Sequence, residues 1–381
     1  KRRKKKMMVL ILVCIVLLGT AAAERMGYLD LEQIISKKQE EVPYQKVSKT
    51  EEENTEKYYY QQLTEEQRQV YLEILEGVRN HTEDIYVHDA DADETNQIFQ
   101  KLMKDQPDIF WCDGTATATT HKSTESYTVL KPKYFYTAEE SQTMQTEITQ
   151  AAEKWLADLD ADADDYHKIL YVYEKIVDEV DYDESAPDNQ NIYSVFVNRK
   201  SVCAGYSKAT QYLLEKLGVF CTYVTGKTTE GGSHAWNLVK LDGEYYYIDT
   251  TWGNATYSGD GMGLDSFINY NYFAVTTGEL QKTHQPNDDI IVPVCQAVKD
   301  NYYVHENLYF DTWDADSIGN VYRAAYEQGD GFCSVRFADR ELYEQAFTYF
   351  ITDQKIVHYC KGLTSLYYLE DSDQNVLTIK F

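Results

Sequence analysis

Residues 231–252 read GGSHAWNLVKLDGEYYYIDTTW. Two runs rich in β-branched and aromatic residues, HAWNLVKL and EYYYID, flank Asp242-Gly243, a dipeptide suited to the positive φ angles of a two-residue type I′ turn. Such a turn fixes the register: opposed residues have numbers adding to 485, so Trp236 faces Asp249 and His234 faces Thr251. His234 and Trp236 share a face because side chains alternate along a strand. His234 and Asp249 are then diagonal neighbours on that face, roughly 5–8 Å apart at Cα/Cβ and within side-chain reach. A three-residue loop or a bulge would break the pair, so the type I′ turn is the premise.

Upstream, residues 201–210 read SVCAGYSKAT. Cys203 falls where extended chain gives way to an apolar-periodic run ending at Leu217, with Gly218 as the left-handed terminator. A thiol in the first turn of a helix meets free backbone N–H groups and the positive end of the dipole, which lower its pKa. Ala204 and Gly205 leave room around the sulfur. Nucleophilic chemistry at a thiol needs a thiolate, a base for its proton and a group to orient that base. Cys203, His234 and Asp249 supply those types, and docking the helix start against the hairpin face would bring them into line. The oxyanion would meet the Cys203 N–H and a donor from NIYSVFVNRKSV, where Tyr193 and Asn198 are the candidates. Gly232 allows close approach of substrate. Trp236 and Trp252 are candidates for the groove wall, with packing against the helix as the equal alternative.

Taken singly, an early-helix cysteine is more often a small buried residue, and a strand histidine more often structural. The case for chemistry rests on their conjunction. Cys221, among Val219, Phe220 and Tyr223, reads as core, as does Cys112. His81, His88, His121, His167, His284, His305 and His358 stand singly with no carboxylate partner evident. No CxxC, HxH or HExxH spacing is present, so neither a metal nor another cofactor is expected. Cys333 and Cys360 are a conceivable disulfide.

The region before the core begins with a polar stretch, 24–57. Structure is expected from Leu63, with a capping box at Thr64 and Gln67 opening a helix through Val78. A second helix is expected over 94–104, extended chain over Tyr127–Tyr136, and a helix capped by Thr137 and Glu140 that carries Met144, Ile148, Trp155 and Leu159. Asp89, Asp91 and Asp93, and likewise Asp160, Asp162 and Asp164, alternate as calcium loops do but lack the glycine and the final glutamate; each run sits before a helix and reads as its cap. The tail suggests a strand, helix 316–328, strand Cys333–Phe337, helix 339–350, and strands near 355–360 and 376–381.

The chain has 381 residues and a net charge of −27. Residues 24–381 hold 30 Lys+Arg against 63 Asp+Glu, a surface that repels phosphate backbones and excludes nucleic acid as a partner. The N-terminal KRRKKK precedes an apolar run, Met7–Leu18, and the small residues Ala21–Ala23, the layout of a secretory signal. The weakly polar stretch is also at the low end for a membrane span, so an uncleaved anchor stays open. Either way residues 24–381 are expected outside the cytoplasm, secreted or on the cell surface, with membrane contact only through this segment.

The order Cys, His, Asp within VCAGYSKATQYLLEKLG, HAWNLV and YYYIDTTW resembles the transglutaminase-like superfamily of papain-like thiol enzymes, most firmly over 165–255. The stretch Tyr58–Trp111, with LTEEQ and DQPDIFW, resembles the N-terminal extension of exported bacterial members. The resemblance implies an α+β fold: a helix bearing Cys203 packed on an antiparallel sheet bearing His234 and Asp249. It implies Cys203 as nucleophile, His234 as general base and Asp249 as orienter. The expected organisation is a signal or anchor (1–23), a linker (24–57), a helical and extended N-terminal region (58–160), the core (161–295) and a small C-terminal α+β unit (296–381). The expected activity is a thioester route on amide or peptide carbonyls of proteins or cell-wall peptides, by hydrolysis or acyl transfer. A surface binding module without turnover is the alternative.

Overall fold

The computed structural model describes residues 42–47, 54–88, 90–122, 126–254, 267–288 and 290–381. The chain divides into two units, 1–45 and 46–381. Of the first, residues 42–45 are described and carry no helix or strand; the expected signal segment lies outside the described residues. No described helix is long and apolar enough to cross a membrane.

In the second unit, order begins earlier than Leu63. A one-turn helix, Tyr58–Gln61, is held because the Tyr59 and Tyr60 N–H groups donate to the two carboxylate oxygens of buried Asp105. Helix α1, Glu65–Arg79, opens on the Thr64–Gln67 capping box. Strand β1, Ile85–His88, follows, then helix α2, Ala92–Asp105, capped by Asp91. Strands β2, Cys112–Lys122, and β3, Ser126–Tyr134, complete an antiparallel sheet of order β1-β3-β2. Helix α3, Ala138–Leu156, has the Thr137–Glu140 capping box and ends before Leu159. Asp164 caps helix α4, Asp165–Glu179. Asp91 and Asp164 are thus helix starts; Asp89 lies outside the described residues.

Asp181–Tyr182 (β4) and Lys200–Ser201 (β5) form a short parallel pair leading into helix α5, Cys203–Lys216. Gly218 sits at φ +73° just beyond it. Strands β6, Cys221–Thr228, β7, Ser233–Leu241, β8, Glu244–Ile248, and β9, His284–Pro286, make an antiparallel sheet of order β8-β7-β6-β9. Asp242 and Gly243 adopt φ +48° and +87°, both positive as a type I′ turn requires. Pairing runs from Leu241↔Glu244 to Asn237↔Ile248, every pair adding to 485. Asn237 of β7 donates to the Ser207 carbonyl of α5, while Trp236 packs with Val224, Leu238, Tyr247, Val275 and Leu280. Trp236 therefore belongs to this apolar cluster rather than to the helix contact.

Toward the C-terminus, Tyr309–Phe310 (β10), Phe332–Phe337 (β11), Tyr367–Asp371 (β12) and Val376–Lys380 (β13) form a mixed sheet of order β10-β11-β13-β12. Helices α6, Ala315–Gln328, and α7, Arg340–Phe347, belong to this region, whose core includes Ile318, Tyr322, Val335, Phe350 and Leu377. The strand expected near 355–360 is a one-turn helix, Ile356–Tyr359. Its buried Ile356 and Cys360, the residue just past its end, are four apart, a helical spacing. All six described cysteines are free, including Cys333 and Cys360.

Candidate active site

Cys203 is the first residue of α5, and Val202 before it offers no side-chain cap. The first-turn N–H groups thus keep the character of an anion site. Cys203 is half-buried, whereas the other five described thiols are buried. Burial pushes Cys112, Cys295 and Cys360 up to about 11 and Cys333 to about 12, which keeps them protonated.

His234 stands at the beginning of β7, almost wholly buried. Its Nε2–H donates to Asp249 Oδ2 at 2.7 Å, and the Cys203 thiol is near enough to favour its charged form. With Nε2 committed to the carboxylate, Nδ1 is the nitrogen left for sulfur. Burial disfavours the charged ring, but the Asp249 charge and hydrogen bond together with Cys203 outweigh it and raise His234 from 6.5 to about 10.

Asp249 lies one residue past the end of the β7–β8 ladder. It caps the one-turn helix Thr250–Gly253: Oδ1 accepts from the N–H groups of Thr251 (2.8 Å) and Trp252 (3.2 Å). Aspartate is a favoured cap, so this sequence holds the carboxylate by its own backbone. Oδ2 remains for imidazole. Burial would push the carboxyl up, but His234 and His284 hold it well below the usual range.

His284 was not among the sequence candidates. It is buried on β9, and its Nε2–H donates to the same Asp249 Oδ2 at 3.1 Å. Its only sequence signal was a lone histidine in HQP, 35 residues beyond Asp249, with no alternation to mark a strand. Atoms of His234, Asp249 and His284 lie within 4.8 Å of one another, the one such group among the described residues with the makings of a metal site. Those same atoms are already hydrogen-bonded to each other.

Cys203 and His234 open on a cleft of about 460 Å³ whose walls include Asn189, Gln190, Tyr223, Lys227 and Asn287. A larger cavity of about 830 Å³, lined by Tyr270, Tyr302 and Phe332, carries the buried Cys333 without a histidine beside it. Chemistry points to the smaller one.

The remaining sequence candidates are placed differently. Tyr193 donates its hydroxyl to Glu147 at 2.7 Å, and Asn198 donates to the Pro187 carbonyl at 3.4 Å. Both flank or belong to the π turn Ser194–Asn198, and neither lines the cleft; their donors are committed elsewhere. The side-chain amides at the cleft wall are Asn189, Gln190 and Asn287, with Gln190 Nε2 donating to Asn189 Oδ1 at 3.2 Å. Trp236 is fully buried, and Trp252 lies against His284 with ring centroids 4.5 Å apart and planes tilted by 55°; neither lines the cleft. Gly232 is not needed for space: a Cβ there would sit 3.6 Å from Thr228 Oγ1, an ordinary contact. Two glycines near the site are tight: a Cβ at Gly205 on α5 would fall 1.9 Å from Ser201 Oγ, and one at Gly226 on β6 would fall 2.1 Å from the Gln285 carbonyl oxygen.

Residues 153–250 match the transglutaminase-like superfamily. This stretch, which contains Cys203, His234 and Asp249, is a transglutaminase-like core with the papain-like fold. Kyphoscoliosis peptidase of Mus musculus is 23% identical over 140 residues, 32% of this chain and 21% of that protein; the chain thus spans about a fifth of that relative's length. Among solved structures, a TGase overlaps 36% of this chain and 44% of its own at 18% identity and TM-score 0.27. A candidate cysteine protease from Cytophaga hutchinsonii overlaps 36% and 62% at 13% identity and TM-score 0.24.

Proposed function

Taking residues 153–250 as a transglutaminase-like core, we propose a thiol enzyme that acts on amide or peptide carbonyls through a thioester. Cys203 Sγ adds to the carbonyl carbon as its proton passes to His234 Nδ1, and the C=O pair moves onto oxygen. The Cys203 N–H, at the uncapped helix start, meets that oxyanion, and the cleft-wall Gln190 amide, which keeps a second N–H beside the one given to Asn189, is the side-chain donor. Collapse expels the amine, which takes the His234 proton, and leaves the acyl group on sulfur. Water or a second amine, activated by His234, releases it. Asp249 orients the ring and stabilises its charged form, as the triad logic requires. One observation carries the reading: the 2.7 Å His234–Asp249 bond stands beside a half-buried Cys203 at a helix start, both facing one cleft.

Hydrolysis is the favoured outcome because the cleft is open to water. The substrate class is proteins or cell-wall peptides, and the basic-then-apolar N-terminus argues that residues 24–381 act outside the cytoplasm. The test is incubation with a peptide panel, with and without a dansylated primary amine. Acid quenching and intact-mass measurement then follow, with Cys203→Ser as control. An acyl adduct on Cys203 with cleaved or deamidated peptide supports hydrolysis; amine incorporation assigns transfer. If the thiol is reactive but neither adduct nor product forms across the panel, the binding-module reading replaces this one.

A further inference from the structure

We infer that His284 is a positioning residue for the Cys203–His234 pair, holding Asp249 Oδ2 where His234 must find it and sharing that oxygen with His234. The inference rests on the thiol-enzyme reading.

Four donors fill the Asp249 carboxylate: the Thr251 and Trp252 N–H groups on Oδ1, and the two imidazole N–H groups on Oδ2. A carboxylate offers about four lone-pair positions, so this buried one is complete only with His284. Without it, Oδ2 keeps His234 as its one partner and the carboxylate loses one of its four restraints.

The carboxylate fixes which His284 nitrogen donates: Asp249 Oδ2 only accepts, so the ring carries a proton on Nε2. On the far side Nδ1 lies 2.8 Å from Thr283 Oγ1, whose hydroxyl also reaches the Leu280 carbonyl at 3.4 Å. The ring is held by backbone as well. β9 pairs with β6 as Thr228↔His284 and Gly226↔Pro286, and Gly226 in turn pairs with His234 across β6–β7. One strand thus sets the spacing between the two imidazoles, and the absence of a Cβ at Gly226 permits the close approach of β9.

An aromatic enclosure surrounds the ring: Trp252 at 4.5 Å, Trp236 at 5.0 Å and Tyr272 at 5.5 Å between centroids. A phenylalanine would satisfy that enclosure. A buried imidazole is costly there unless its two nitrogens are bonded, and both are. The titratable groups facing the network are Asp249, His234, Cys203, Tyr173 and Tyr272. Burial first, then neighbouring charges including Asp249, hold both phenols protonated.

The second donor draws charge from Oδ2 and moderates the grip of Asp249 on the His234 proton. Losing it should tighten that grip and loosen the aim of Nδ1 at sulfur, so that the imidazolium donates poorly to the leaving amine.

The test compares wild type, His284→Phe and His284→Gln by iodoacetamide alkylation of Cys203 against pH and by turnover per folded molecule. Phe fills the enclosure without a donor; the Gln amide restores a donor near the Nε2 position. In His284→Phe the upper inflection, set by His234, should move to higher pH and turnover should fall about tenfold, the scale of one hydrogen bond to a charged group. His284→Gln should recover most of both. Phe and Gln behaving alike, or an unmoved inflection in Phe, overturns the inference. Should neither variant fold, ¹⁵N NMR of wild type decides: a His284 proton on Nε2 supports it, and one on Nδ1 alone overturns it. A wild-type thiol that ignores His234 would sink the thiol-enzyme reading and this inference with it. A normal thiolate–imidazolium response with silent His284 variants sinks only this one.

Discussion

Replacing Asp249 with Asn is nearly isosteric, yet it should disable the site through hydrogen-bond direction. The Asn oxygen can still accept from the Thr251 and Trp252 N–H groups that bind Oδ1, so the cap of Thr250–Gly253 survives. The amide nitrogen then occupies the Oδ2 position and presents N–H to His234 Nε2. His234 must accept on Nε2 and carry its proton on Nδ1, facing the thiol it is meant to deprotonate. The charge is lost as well. Asp249 and Cys203 outweigh burial and raise His234 from 6.5 to about 10, so the charged ring depends on that carboxylate. With Asp249 neutral, burial dominates and the ring titrates below its ordinary value. Rate should fall by about 10⁴, the loss seen when the same change inverts a triad histidine. The assay is iodoacetamide alkylation at pH 6 with turnover on whichever peptide the panel yields, and a thermal melt to show that the fold survives. A folded Asp249→Asn protein that alkylates at the wild-type rate at pH 6 refutes the reasoning.

Other consequences are checkable directly. Cys203 should be the first of the six described thiols to take up a maleimide, located by peptide mass, because the other five are buried; initial labelling at Cys221 or Cys333 would contradict the burial assignments. Gly226→Ala should destabilise by roughly 1–3 kcal/mol, since its Cβ would press on the Gln285 backbone 2.1 Å away and on Trp236 at 2.5 Å; urea melts measure it, and a neutral variant would contradict the close approach of β9. Asp105 is raised from 3.8 to about 7, burial outweighing the Tyr59 and Tyr60 N–H bonds and Lys57. The folded state therefore binds the proton more tightly, so Asp105 should subtract stability as pH rises from about 4 to about 7. Stability-versus-pH curves of wild type and Asp105→Asn should diverge across that window, and parallel curves would refute the assignment.

Much of the core was legible because short-range rules agreed. The Asp242-Gly243 turn set a parity that placed His234 beside Asp249, although Asp249 proved to be a helix cap rather than a ladder residue. Capping residues placed α1, α3 and α4 for the same local reason. His284 was illegible because its partner is a matter of sheet order: β9 joins the sheet beside β6, 35 residues after Asp249 in sequence. Tyr193 and Asn198 were reasonable donors by proximity to Cys203, but the π turn and the contacts to Glu147 and Pro187 take them out of the cleft. β2 was missed because Thr–Ala alternation in TATATT gives weak strand signal on an edge. The 355–360 segment, expected as a strand, is a one-turn helix, and the burial of Ile356 and Cys360 has the matching helical spacing.

The central claim is a thiolate–imidazolium pair between Cys203 and His234, and the pH dependence of Cys203 alkylation in wild type and His234→Ala tests it most directly. Wild type should be alkylated readily at pH 6, where an ordinary thiol is protonated, and the variant should lose that reactivity. Identical profiles in the two proteins would contradict the account.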